Sequence, residues 1–395
     1  MIKDNYNILK IFGESDGSID LGKITNTISK NLQKELLTDS DRMLLNLVFT
    51  KNPNQEDLDK CLKDYDIEVV GGHKALMLAY FMKLHPELNY PGYVAPRLKG
   101  LLQFYRFQNM KLISNYKKIC NKLKELNIDF LIFKGGCVKY LRPDYPRIMG
   151  DIDILVNKKY WKQCGLTVEK MGYDTDWDIH SIDIHEKGKH EEGIMDIHKY
   201  IIMESDKEKN IIKDIFKRAT KQNVFGVETF VPCNEDLFFI LLVNMVRNLR
   251  HKTSYTGILY NLFDCKFLID SKPDFDWDII IKNSKKTNTE SHIWFAIQFL
   301  NSIVPNLLPE NFKVDKSFKK QFNKYCILLI YQRFFLWEMK QKSHNMKIKD
   351  LFSSKDFFKE YLKLKPKYFI LKLAIIRKNP YIAEFILKKA YKYEN

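Results

Sequence analysis

The chain has 395 residues, with 65 Lys and Arg against 49 Asp and Glu, for a formal net charge of +16. Hydrophobic residues make up 45% and aromatics 13%, enough to bury a sizeable core, so a largely disordered chain is excluded and two or three domains are expected. Seven scattered cysteines with no CxxC pair argue against a disulfide scaffold. The N-terminus lacks the basic start and apolar run of a signal peptide, and no window reaches the roughly 18 apolar residues of a membrane span, so a cytoplasmic protein is expected.

From the start of the chain to residue 126 the pattern is helical. Ile19 to Leu37 and Asp41 to Phe49 suggest helices, and Pro86, Pro91, Gly92 and Pro96 mark a loop. From Arg97 to Leu126, apolar residues such as Leu98, Leu112, Tyr116, Ile119, Cys120 and Leu123 recur every three or four positions, as on one face of a long helix.

At Asn127 the pattern changes. Asp129 to Lys134 is a short apolar run closed by Gly135-Gly136, which reads as a buried strand and a tight turn, with a short helix from Cys137 to Leu141. Asp151 to Val156 reads as a second strand, Tyr160 to Met171 as a helix closed by Gly172, and His180–Ile184 and Gly193–Tyr200 as two more strands. After Pro232 helices return, the first capped by Asn234 with Glu235 and Asp236 in its first turn, then Gly257 to Ile269 and Ser291 to Ile303. The expected division is a helical region 1–126, an α/β core 127–231 and a helical region 232–395. The fold class is α+β, a small mixed sheet flanked by helices.

The chemistry concentrates in the core. Side chains at i and i+2 of a strand share a face, so Asp151 and Asp153 project together while Ile152 and Ile154 turn inward. Two neighbouring carboxylates need a compensating cation, and Mg²⁺ (or Mn²⁺), which favours hard oxygen ligands, fits that need. Asp196, on another expected strand, supplies a third carboxylate, and three could hold two metal ions suited to in-line displacement at phosphorus. Gly135-Gly136 lets the backbone and a helix N-terminus approach a phosphate, with Lys134, Lys139, Arg142 and Arg147 adding positive charge. His198 shares a strand face with Asp196; a phosphate contact, a carboxylate-orienting role and a packed neutral imidazole all suit it. The spacing of His180, His185, His190 and His198 matches no closed zinc pattern.

Residues 311–395 carry 21 Lys and Arg against 7 Asp and Glu, nearly all the basic excess. A solvated helical face is the first reading, and a contact surface for an anionic partner the second.

The run Phe133-Lys-Gly-Gly136, Tyr145-Pro146, Arg147 and Gly150-Asp-Ile-Asp-Ile-Leu-Val156 resembles the DNA polymerase β-type nucleotidyltransferase superfamily. Within it the chain is most similar to the uncharacterised bacterial nucleotidyltransferases. Gly172-Tyr173, the Asp196-x-His198 pair and Pro232 followed by Glu235, Asp236 and Leu237 extend the likeness. Asn244 departs from it, standing where relatives often place a histidine. The resemblance implies a nucleotidyltransferase core that uses an NTP donor and an unidentified acceptor (small molecule, protein or RNA). It further implies Asp151, Asp153 and Asp196 as catalytic metal ligands. Gly135 and Gly136 would hold the triphosphate, and Lys134 and Arg147 match the pattern beside them. The alternatives are a non-catalytic nucleotide- or partner-binding module on the same fold, and an RNA-modifying enzyme that uses the basic C-terminus.

Overall fold

Two strands buried at every position set the centre of the fold: β1 (Phe130–Phe133) and β2 (Asp153–Val156). Helices or loops cover both their faces, which is why they read as continuous apolar runs. They pair antiparallel, with Phe130 opposite Val156 and Phe133 opposite Asp153. The computed structural model describes residues 39–50, 52–64, 72–189, 193–201, 209–251, 255–272, 274–287, 289–290, 293, 296, 297 and 300. All belong to the unit Leu36–Phe312. The expected helix over Ile19–Leu37, most of the one over Ser291–Ile303, and the basic segment 311–395 lie outside the described residues.

Five further strands complete the sheet: β3 (Asp174–Trp177), β4 (Ser181–His185), β5 (Gly193–His198), β6 (Thr220–Val224) and β7 (Val227–Val231). Their order across the sheet is β3-β4-β5-β2-β1-β7-β6. The β2–β5 and β1–β7 pairs run parallel and the others antiparallel, giving a mixed sheet in an α+β fold. The sequence reading passed over three of these strands. β3 is a polar, partly exposed edge strand without apolar alternation. β6 and β7 form a hairpin whose turn residues Phe225 and Gly226 have φ of 51° and 89°, the twist a two-residue hairpin needs, from a pair lacking the usual Asn-Gly signal.

Before the sheet come α1 (Asp39–Phe49), α2 (Gln55–Asp64), α3 (Gly72–Leu84) and α4 (Val94–Glu125). The last, 32 residues long, buries Leu98, Leu112, Tyr116, Ile119, Cys120 and Leu123 along one face. Pro96 lies inside its first turn and not in the preceding loop, because an N–H at that position has no helical partner to lose. α5 (Lys134–Leu141) follows β1 without a loop and takes in Gly135 and Gly136, where a tight turn was expected. α6 (Lys158–Lys170) ends one residue before Met171, with Gly172 at φ 90°. α7 (Lys209–Arg218), α8 (Asn234–His251), α9 (Tyr255–Asp270) and α10 (Trp277–Thr287) follow, and Glu290, Ile293, Ala296, Ile297 and Leu300 are also helical. The amide of Asn234 donates to Ser271 Oγ at 3.0 Å. Glu235 and Asp236 are fully buried in ion pairs and not displayed at a solvent-facing helix end. Among the described residues no helix is long and apolar enough to cross a membrane.

Candidate active site

Sheet register brings the acids together. Parallel pairing sets Asp153 of β2 beside Asp196 of β5, and antiparallel pairing sets Asp183 of β4 on the far side of Asp196. Three carboxylates thus stand in a row across adjacent strands, where side chains directly opposite are neighbours. Asp151 precedes β2, but the ladder still runs through Ile152, whose N–H donates to Ile194 O at 3.3 Å and whose carbonyl accepts from Asp196 N at 3.0 Å. Asp151 lines the same cavity as Asp153.

Compensation of this negative charge is partial. Asp153 is 4% exposed; its Oδ1 meets Lys134 Nζ and lies 2.8 Å from His198 Nε2. Lys134 Nζ is 3.3 Å from the same imidazole nitrogen, and Asp196 Oδ2 is 3.8 Å from it. Burial pushes Asp153 up, but Lys134 and His198 outweigh it and hold the carboxyl below its usual range. Asp151 and Asp196 go the other way: burial first, then repulsion from their fellow carboxylates, raises both. Burial, reinforced by the Lys134 charge, lowers His198 to about 4, so its imidazole is neutral near pH 7. For Lys134 itself burial works to remove the charge, and Asp153, Asp151 and Asp196 together overcome it and raise the ammonium.

Lys134 is held in a costly conformation. Its φ is 49°, the left-handed region that a non-glycine residue seldom occupies, and it makes the turn from β1 into α5. Phe133, at the N-cap, offers no side-chain cap, so the first N–H groups of α5 point onward without one. The glycines that follow serve two contacts. A Cβ on Gly136 would press on Ile152 Cγ2 at 3.1 Å and Ile132 Cδ1 at 3.3 Å; one on Gly135 would stand 2.9 Å from Arg147 Nη2.

Arg147 is fixed from three sides. Its Nε donates to Asp264 Oδ2 at 3.1 Å, its Nη1 to Ile148 O at 2.6 Å, and its guanidinium lies 3.9 Å over the Tyr260 ring. Burial raises the Asp264 carboxyl to about 6, with Arg147 restraining the rise. The loop bearing Arg147 is clamped by Asn109 of α4, whose Nδ2 donates to Arg147 O at 2.6 Å and whose Oδ1 accepts from Met149 N at 3.1 Å. Lys139 and Arg142, expected to add charge at the site, are spent elsewhere. Lys139 Nζ holds the carbonyls of Pro143 and Tyr145, and Arg142 pairs with Asp144 and lies over Phe267.

These groups line a cavity of about 230 Å³ walled by Lys134, Gly135, Arg147, Met149, Gly150, Asp151, Asp153, Leu241, Asn244 and Asn261. The sequence reading missed Asn109, Tyr260, Asn261 and Asp264. Their one signal was a polar residue breaking an apolar helical face. For a metal, Asp153, Asp196 and His198 bring one ligand atom each to within 4.8 Å of one another, a hard-oxygen and imidazole set compatible with a divalent cation. Asp151 stands outside that group.

The family described as uncharacterised nucleotidyltransferase matches residues 74–305, more than half of the chain, and the chain belongs to it. Among solved structures, it is similar to an antigenic nucleotidyltransferase-like protein from Paracoccidioides brasiliensis, at 14% identity and a TM-score of 0.33, over 50% of this chain and 89% of that one. No curated protein matches it.

Proposed function

From this family membership, we propose that the chain transfers a nucleoside monophosphate from an NTP to an acceptor hydroxyl or phosphate, on the DNA polymerase β-type plan its motifs resemble. The observation that carries the reading is the meeting of Asp151 and Asp153 with Lys134, Gly135 and Arg147 on the wall of one cavity, with Asp196 in register beside Asp153. In this reading the leading N–H groups of α5 and the Arg147 guanidinium hold the triphosphate, and Gly135 leaves room for both. Asp153 and Asp196, with Asp151 and His198 beside them, hold a divalent cation such as Mg²⁺ or Mn²⁺. When bound, that ion supplies charge neutralisation at the triphosphate and a lower pKa for the acceptor. The acceptor oxygen bonds to the α-phosphorus as the bond from that phosphorus to the bridging oxygen breaks. Pyrophosphate leaves with the electron pair, and the acceptor's proton passes to a carboxylate of the cluster. Lys134 lines the same cavity, so its charge can turn from Asp153 to a phosphate oxygen.

The test is transfer from each of the four α-labelled NTPs, with Mg²⁺ or Mn²⁺ and cell lysate as the source of acceptor. Label moved by the native chain and lost in Asp151→Asn, Asp153→Asn is the expected result; equal transfer by both sinks the metal assignment. The Lys134–Asp153 contact favours one second reading, a non-catalytic nucleotide-binding module, because an internal ammonium already neutralises part of the cluster. That reading expects NTP binding undiminished by EDTA and no transfer.

A further inference from the structure

The part of the cavity wall built by α8 and α9 carries Leu241, Asn244 and Asn261, and no carboxylate. Asn261 is 3% exposed, and its amide Nδ2 has no hydrogen-bond partner. A buried, unpaired donor is costly, and because Asn261 lines the cavity, a ligand that enters it can supply the missing partner. Its position narrows the choice. Asn261 stands three residues before Asp264 on α9, one turn along the same face, about 4.5 Å by helical rise. Asp264 fixes Arg147, and Arg147 lies against Gly135. Asn261 and Arg147 thus line one cavity and are linked through Asp264, so a ligand whose phosphate meets Arg147 can carry its sugar or base to the amide. Leu241 lies three residues before Asn244 on α8, and with Met149 it offers apolar contact suited to a flat ring.

We infer that the α8–α9 wall receives the nucleoside of the NTP, with Asn261 Nδ2 donating to an acceptor atom on the ribose or base. This assignment rests on the nucleotidyl-transfer reading and adds to it the residues that tell a nucleotide from bare polyphosphate. Asn244 supplies a second amide to the same wall.

The experiment compares two ligands in the presence of Mg²⁺: the α,β-methylene analogues of the four NTPs, and inorganic tripolyphosphate, which has the charge but no nucleoside. In Asn261→Leu, a near-isosteric change that removes the donor, the tightest-binding analogue weakens roughly 5- to 10-fold, the loss of one hydrogen bond. Tripolyphosphate affinity stays as in the native chain, and the unliganded variant melts at the same or a higher temperature because the unpaired donor is gone. Asn261→Ala gives the same separation of the two ligands. Arg147→Ala, as a control, weakens both. Unchanged analogue binding in Asn261→Leu overturns the inference, as does an equal loss for both ligands with a lower melting temperature, which marks Asn261 as a structural amide. A native chain that binds tripolyphosphate and no NTP overturns the nucleoside assignment alone; one that binds neither removes the nucleotide reading beneath it.

Discussion

The acids at the start of α8 and those at β2 and β5 are treated differently. Asp236, at the start of α8, is fully buried with four donors on its two oxygens: Arg218 Nε at 2.8 Å and Nη2 at 2.7 Å, Asn283 Nδ2 at 2.8 Å and Cys233 Sγ at 3.2 Å. The row at β2 and β5 sets Asp151, Asp153 and Asp196 against one ammonium in direct contact among the described residues, and two of the three carboxyls are driven up. A buried charge with every lone pair used ties elements together; a cluster short of positive charge is poised for a cation or a phosphate-bound metal. The residue type is the same in both places, and the difference lies in the balance of partners.

That contrast can be broken from either side. The largest effect is expected for Asp236→Ala, which strands Arg218 and Asn283 and should cost about 3–5 kcal/mol in urea unfolding; a loss near zero would remove its structural role. Next comes pH. Asp264 titrates near 6 when folded, against an ordinary carboxyl near 3.8, so its contribution to stability is fully present below pH 3.8 and lost as pH rises through 6. Between pH 7 and pH 4 the native chain should gain up to about 3 kcal/mol relative to Asp264→Asn. Parallel stability curves for the two proteins would refute the shift. Asn109→Ala removes both clamps on the Arg147 loop and leaves buried backbone groups unpaired, so a loss of about 2 kcal/mol is expected, together with weaker tripolyphosphate binding. The smallest effect sharpens the comparison. Burial and its fellow carboxylates push Asp196 up to about 9, so near pH 7 Asp196→Asn replaces a neutral carboxyl and should change stability by less than about 1 kcal/mol while label transfer falls; a clear destabilisation would mean the carboxyl is ionised and paired after all.

The strands of the site were legible because central strands are continuous apolar runs, in which an acid at Asp153 or Asp196 stands out. Their mutual register was not written in either strand. It depends on β5 docking beside β2, with β3 and β4 outside it. The amphipathic helix α7 was passed over although Ile211 and Ile215 mark its buried face. The second wall of the cavity was hidden for a different reason. In the stretch from Tyr260 to Leu268, Asn261 and Asp264 look like stray polar residues, and nothing local says that Asp264 answers Arg147, 117 positions earlier. The Gly135-Gly136 signal pointed to a wall of the cavity, but the turn is made differently than expected: its left-handed residue is Lys134, and Gly136 is small because two isoleucines press on it.

The hold of α9 on Arg147 bears on modularity. A fragment ended at Val231 would keep every carboxylate of the cluster, the whole seven-stranded sheet and Lys134. It would also leave a guanidinium without the Asp264 carboxylate and the Tyr260 ring that orient it. The carboxylate cluster and the groups that orient Arg147 are thus written on opposite sides of Val231. A fragment that keeps the Arg147 geometry must extend through α9, and exchanging the helical part between relatives would move the arginine's aim along with the wall around it.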